Sequence, residues 1–202
     1  DAHAKVVVVP AVPRSLERIY PKNVGGYFTS VATSLIGLLN TVARGTATDQ
    51  RIGSVIHMHA LDLVFAVMAD PSTPEHFTRW AVFSDQQTNG VIPTVTDISP
   101  VGYQWMPFLD YSNTDRFRFY YHQTIAHGGF TAIGANPIWS NPLNSIKRVT
   151  LQFSTPVTAT YTGTGGTITN VVTNGLFFAF VHSLVANPPA VTVYWRVYYS
   201  DT

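Results

Sequence analysis

Residues 76–98, HFTRWAVFSDQQTNGVIPTVTDI, read as an alternating strand that runs into a polar turn and stops at a proline. Strand side chains alternate with period two. Thr78, Trp80, Val82 and Ser84 therefore point one way, and Phe77, Arg79, Ala81, Phe83 and Asp85 the other. Asn89-Gly90 supplies a turn that tolerates positive φ, and Pro93 ends any ladder for want of an N–H. The same grammar of strand, turn and strand fills most of the chain.

Working outward, candidate strands fall at 27–32, 54–68, 77–85, 116–125, 146–153, 156–161, 176–184 and 191–200. They are rich in Val, Ile, Phe, Tyr or Thr and bounded by Gly, Pro, Asn or Asp. Eight strands separated by turns argue for an all-β sandwich or barrel. One segment competes as a helix: Ser34 can cap it, Leu35, Leu38, Leu39 and Val42 keep a helical period, and Gly45 can end it, although Gly37 weakens it. The strand at 54–68 changes face midway. Ile56, Met58 and Ala60 share one register and Leu61, Leu63, Phe65 and Val67 the other, which predicts a β-bulge.

The chain is 202 residues long, enough for one domain with a substantial core. Only 11% of it is charged, against about 25% in a typical soluble domain. Hydrophobic residues make up 46% and aromatics 13%. A surface this poor in charge is expected to pack against neighbours, with Tyr, Trp and Phe filling the contacts; the bland alternative is a β protein with a Ser/Thr/Asn surface. The formal net charge of +1 gives the body no strong attraction to polyanions. There is no cysteine, hence no disulfide and no thiolate chemistry. No apolar run approaches the roughly 20 residues of a membrane helix, and residues 1–10, DAHAKVVVVP, lack the pattern of a signal peptide. We expect no membrane association.

Catalytic patterns are weak. His57 and His59 lie two apart on one strand face, but a zinc site needs three or four ligands and no companions are evident. His127-Gly128-Gly129 faintly resembles an esterase oxyanion loop but lacks a Gly-X-Ser-X-Gly elbow, so His127 is read as a turn residue. Gly163-Thr164-Gly165-Gly166 lacks the lysine and helix of a phosphate loop and is read as a loop tip. The eleven acidic residues form no close pair. Asp110 and Asp115 can be read as oxygen ligands for calcium, or, preferably, as loop caps. We expect no enzyme, no metal site and no cofactor.

Two sets of residues point to partners. Lys5, Arg14, Arg18 and Lys22 cluster near the N-terminus, with Arg44 further on, where they can serve a shared polyanion. Arg14, Arg18 and Lys22 are spaced by four, which makes one basic face on a short helix; an extended entry into the first strand is the competing reading. The loop from Gln86 to Asp115 carries Tyr103, Trp105, Met106 and Phe108, and the next long loop carries Trp139. Loops of this length and aromatic content are candidate contacts between subunits.

In order along the chain, several segments resemble one family. Asp49-Gln50-Arg51-Ile52-Gly53 before a long strand resembles the "NQR-G" element of coats of satellite tobacco necrosis virus type, a type found also in circular Rep-encoding single-stranded DNA viruses. Residues 85–94, DQQTNGVIPT, look like the "DRQTNG–PT" turn of those coats, and Asp115-Arg116-Phe117-Arg118-Phe119 like the "RF-VL-D" strand that follows. Residues 176–180 and 197–201, LFFAF and VYYSD, are similar to the closing strand pair and its Tyr-rich tail.

The resemblance spans roughly residues 35–202. It implies an eight-stranded antiparallel jelly-roll shell domain at 26–202 after an N-terminal segment at 1–25. It further implies a virion coat protein assembled as an icosahedral shell of sixty identical copies around a single-stranded genome. Arg14, Arg18 and Lys22, with Lys5, would then face inward onto phosphates without reading sequence. Two departures stand out: such coats begin with an Arg/Lys-rich arm where this chain has one lysine in DAHAKVVVV, and Gln86 stands where arginine is common. The rival reading is a carbohydrate-binding, lectin-like jelly roll using Tyr103, Trp105 and Trp139 as platforms. A trimeric ligand of tumour necrosis factor type shares the sandwich but not the ordered segments.

Overall fold

The computed structural model describes residues 6–9, 22–30, 32, 34–68, 76–99, 113–127, 130–133, 136–139, 144–183 and 188–201. Among these residues there are twelve strands: β1 Val6–Val9, β2 Lys22–Ser30, β3 Ser34–Leu38, β4 Val55–Met68, β5 His76–Asp85, β6 Phe117–His127, β7 Phe130–Ile133, β8 Asn136–Trp139, β9 Asn144–Tyr161, β10 Val171–Thr173, β11 Gly175–His182 and β12 Ala190–Asp201. One sheet runs β1-β9-β4-β12-β2 with β10 added on β9; the other runs β3-β11-β5-β6. Every strand pair is antiparallel. The eight strands β9-β4-β12-β2 and β3-β11-β5-β6 make a jelly-roll sandwich, as the resemblance implied.

The core lies between the sheets because each strand presents one apolar row inward. Ile56, Met58, Leu61, Leu63, Phe65 and Val67 of β4 are buried against Trp80 and Val82 of β5 and Phe178 and Phe180 of β11. The Phe65 and Trp80 rings sit 4.7 Å apart, and Trp80 and Phe178 5.8 Å apart. Tilted contacts at this spacing suit the aromatic quadrupoles.

The predicted face change in β4 is a bulge at His59. Tyr199 pairs with Met58 and Tyr198 with Ala60, which leaves His59 as an extra residue opposite β12. On the other side of β4, Met58 pairs with Val157 and Ala60 with Gln152. The stretch 153–156 therefore stands opposite His59, and a single strand covers what the sequence divides at 153 and 156. Pro156 is tolerated there because a bulge asks no ladder donor of it. A second bulge, at Tyr120 in β6, lets both Tyr120 and Tyr121 pack on the core.

Two expectations are corrected. The candidate helix from Ser34 is strand β3, whose Leu35, Ile36, Gly37 and Leu38 pair with Phe180, Ala179, Phe178 and Phe177 of β11. A Cβ on Gly37 would lie 3.0 Å from the Phe28 ring, so the glycine admits close packing rather than weakening a helix. Leu39 and Val42, which completed the helical period, are buried beyond the end of the strand. His127 is the last residue of β6 and pairs with His76, so it lies in a ladder and not in a turn. The competing helix at Arg14–Lys22 falls, apart from Lys22, outside the described residues.

Strand β5 is buried on both faces. Its outward Ala81 and Phe83 form a second apolar cluster with Ile36, Phe117, Phe177, Ala179, Val181 and Ile98. Ile98 belongs to α1 (Val95–Ile98), a single turn closed by a reciprocal cap between Thr94 and Asp97. The opening stretch thus behaves as read: strand, then a turn in which Gly90 has φ +73°, then a chain that folds back over the sheet.

Candidate functional site

Three charged locks tie the loops at the ends of the sandwich. Arg51 is 1% exposed. Its Nε donates to Val42 O (3.2 Å), Nη1 to Gly53 O, and Nη2 to Gly163 O (2.9 Å) and Gly165 O (3.4 Å). Its guanidinium lies 4.6 Å from the Tyr161 ring centroid. Burial pushes the Arg51 pKa down, and the partners that keep it charged are carbonyl dipoles and a ring face rather than a carboxylate. The glycine-rich loop tip at 163–166 is therefore one jaw of an arginine clamp. A Cβ on Gly166 would meet Ala43 N and Thr41 O at 2.8 Å, so no larger residue lets the two loops approach.

The second lock joins the turn after β5 to the start of β6. Arg116 Nε and Nη2 donate to Asp85 Oδ1 (3.0 Å) and Oδ2 (2.8 Å), and Asp85 Oδ1 also accepts the Gln87 amide (3.0 Å). Thr88 Oγ1 donates to Asp85 O and accepts the Gly175 amide, both at 3.1 Å. The third lock holds the C-terminal strand. Asp201 Oδ2 accepts Lys22 Nζ (2.7 Å) and the Ile52 amide (2.6 Å). Burial pushes the Asp201 carboxyl up, but the Lys22 and Ile52 hydrogen bonds outweigh it and hold it below its ordinary value.

The outer face of the β1-β9-β4-β12-β2 sheet is polar and aromatic. His57 Nδ1 lies 2.9 Å from Thr158 Oγ1, and His59 Nε2 lies 2.8 Å from Ser200 Oγ. Burial, then the neighbouring His57, lowers the His59 pKa. Among the described residues no group of three or more His, Asp or Glu is placed to hold a metal ion. Asp62 takes Arg148 Nη2 (2.7 Å) and Thr150 Oγ1 (2.6 Å). Beside them a depression of about 500 Å³ is lined by Gly25, Asp62, Arg148, Tyr194, Arg196 and Tyr198, among others. At its edge Tyr27 and Tyr194, cross-strand partners, stack with ring centroids 5.7 Å apart.

Of the residues singled out from the sequence, Lys22 is described and its ammonium is committed to Asp201 and to Gln50 O (3.2 Å). Lys5, Arg14, Arg18, Tyr103, Trp105, Met106 and Phe108 lie outside the described residues. Trp139 ends β8 and pairs with Phe130, and its side chain is not among those described. Asp110 lies outside as well, and Asp115 O accepts Gln86 Nε2 (3.2 Å) in a loop contact. Sequence reasoning missed the clamp role of Arg51 and the outward row Tyr194, Arg196, Tyr198. The second had a signal: it alternates with buried Val193, Trp195 and Val197.

No family model matches the chain. Over 173 residues it is 24% identical to the coat protein of Maize white line mosaic Satellite virus, a match that covers 81% of this chain and 71% of that protein.

Proposed function

We propose that this chain is a viral coat protein that assembles into a small icosahedral shell, sixty copies around a single-stranded genome. The observation that carries the reading is the jelly-roll strand order, taken with the similarity to a satellite virus coat protein along four-fifths of the chain. The composition agrees: a chain with 11% charged residues has surface suited to burial against copies of itself. Each specific contact of that kind buries about 1,200–2,000 Å². Tyr103, Trp105, Met106, Phe108 and Trp139 supply the contacts between subunits. Lys5, Arg14 and Arg18 face the genome, and Lys22 anchors their segment to the sheet through Asp201.

The function in this reading is mechanical: the shell encloses the nucleic acid and excludes nucleases, with no reaction at any residue. Negative-stain electron microscopy of the purified protein tests it, with the 260/280 nm absorbance ratio taken on the same sample. Uniform small shells with a raised ratio are expected. Small discrete particles would overturn the reading and favour a sugar-binding module. Replacing Arg14 and Arg18 with alanine should lower the nucleic acid content of the shells; an unchanged ratio removes the phosphate role.

A further inference from the structure

We propose that Asn89 is a self-modification site. In the folded protein its side-chain amide is lost to attack by the Gly90 backbone nitrogen, which leaves an aspartyl or isoaspartyl residue in the turn after β5. The inference does not depend on the coat reading.

Asn-Gly occurs twice in the chain, in the nearly identical stretches TNGV at 88–91 and TNGL at 173–176. The dipeptide is reactive because glycine puts no Cβ beside the attacking nitrogen. Gly90 N gives its proton to hydroxide and bonds to Asn89 Cγ. The Cγ–Nδ2 bond then breaks and ammonia leaves, closing a five-membered succinimide. Water reopens the ring at one of its two carbonyls. Opening at Cγ gives aspartate; opening at the backbone carbonyl gives isoaspartate, whose main chain is one carbon longer. Overall one water is consumed and one ammonia released, with no oxidation or reduction.

The fold separates the two sites. Asn89 is exposed, and among the described residues no hydrogen bond holds its side chain or the Gly90 N–H. A Cβ on Gly90 would meet nothing closer than Thr169 Cα at 3.8 Å, so this peptide has room to close the ring. At the second site both reacting groups are engaged. Gly175 is buried and its N–H donates to Thr88 Oγ1 (3.1 Å), while Asn174 Nδ2 donates to Thr158 O (2.7 Å). A Cβ on Gly175 would lie 2.8 Å from the Phe177 ring, so ring closure is crowded there as well. The product matters because residues 89–92 bridge two buried residues, Thr88 and Pro93, and display Val91 and Ile92 at 66% and 40% exposure. An added backbone carbon has to be absorbed within that bridge. Deamidation therefore re-aims an apolar tip and sets a negative charge beside it.

The test incubates the purified, folded protein in mildly alkaline buffer and follows its tryptic peptides by mass spectrometry. Asn89 and Asn174 fall in different peptides, because Arg116, Lys147 and Arg148 lie between them. Electron-transfer fragmentation tells isoaspartate from aspartate. Asn89 should convert to both products. Asn174 should lag by roughly tenfold or more, since freeing the Gly175 N–H leaves a buried donor unmet. Unfolding in urea should bring the two rates together. An intact Asn89, or equal rates at the two sites in the folded protein, overturns the proposal. So does a difference that persists in urea, because sequence and not fold would then choose the site. Aspartate formed without isoaspartate overturns it too, since water rather than Gly90 would have attacked.

Discussion

Arg116 closes a two-pronged ion pair on Asp85, with Nε 3.0 Å from Oδ1 and Nη2 2.8 Å from Oδ2. The two residues stand 31 apart in sequence, at the end of β5 and just before β6, so the pair staples the mouth of the long loop between them. Asp85 is fully buried, and the hydrogen bond that Arg116 donates to it raises the Arg116 pKa despite partial burial. Both residues fall in segments that resemble the coat family. Their role here is architectural: the pair fixes where the loop leaves and re-enters the sheet.

Removing one partner of this pair should cost more than the pair contributes, because the other charge stays behind. Arg116→Ala strands a buried carboxylate and is expected to lower stability by about 3 kcal/mol. Arg116→Lys keeps the charge but loses the fork, and should fall between wild type and alanine. Urea midpoints for the three proteins check this. A lysine variant equal to wild type would show that charge alone matters and that the bidentate geometry does not.

Arg51 makes a sharper case, since no carboxylate among the described residues holds it. Four carbonyl oxygens from two loops accept its N–H groups. Arg51→Lys offers three donors from a point charge and cannot reach all of them, so it should be nearly as damaging as Arg51→Met, with a loss of about 2–4 kcal/mol. Hydrogen exchange should quicken in 40–53 and 162–166 and stay near wild type in β11. If exchange instead rises evenly across both sheets, Arg51 supports the whole core rather than these two loops.

Asp201 gives a pH-dependent test. Its folded pKa lies below the ordinary carboxylate value, so the unfolded chain takes up the proton first as pH falls. The stability it contributes is complete above about pH 4, the unfolded value, and is lost as pH drops through the lower folded value. Asp201→Asn should therefore cost about 1.5 kcal/mol or more at pH 7, and much less at pH 3. The measurement is the wild-type minus variant difference in urea midpoint at each pH. An equal difference at both would mean that shape, not charge, holds the C-terminal strand on Lys22 and Ile52.

What could be read from the sequence was whatever has a local period. The turn at Asn89-Gly90, the alternation of β5 and the face change in β4 all follow from neighbours along the chain. Strand β3 was misread because Leu35, Leu38, Leu39 and Val42 satisfy a helical period, while the ladder that decides the matter is offered by β11, 140 residues away. Strand β9 was divided because Ser154-Thr155-Pro156 reads as a break, and only the bulge opposite His59 makes the proline acceptable. The locks were invisible for the same reason: Lys22 and Asp201 are 179 residues apart, and no periodicity reports such a pair.

The bulge itself yields the most demanding prediction. Deleting His59 removes the extra residue, so Met58 and Ala60 follow one another as their partners Tyr199 and Tyr198 do, and the ladder to β12 becomes regular. Strand period then keeps Ile56, Met58, Leu61, Leu63, Phe65 and Val67 on the core face, because His59 is the residue at which the buried row changes parity. The deletion protein should therefore fold, with a loss within the roughly 0.5–3 kcal/mol of an ordinary single change. The control is His59→Ala, which keeps the bulge and loses the Ser200 contact; it should lose about 1 kcal/mol or less. Circular dichroism and urea unfolding compare the two. A deletion protein that fails to fold would show that β9, whose residues 153–156 bow out opposite His59, needs the extra residue, and the bulge would then be a condition of the fold rather than its consequence.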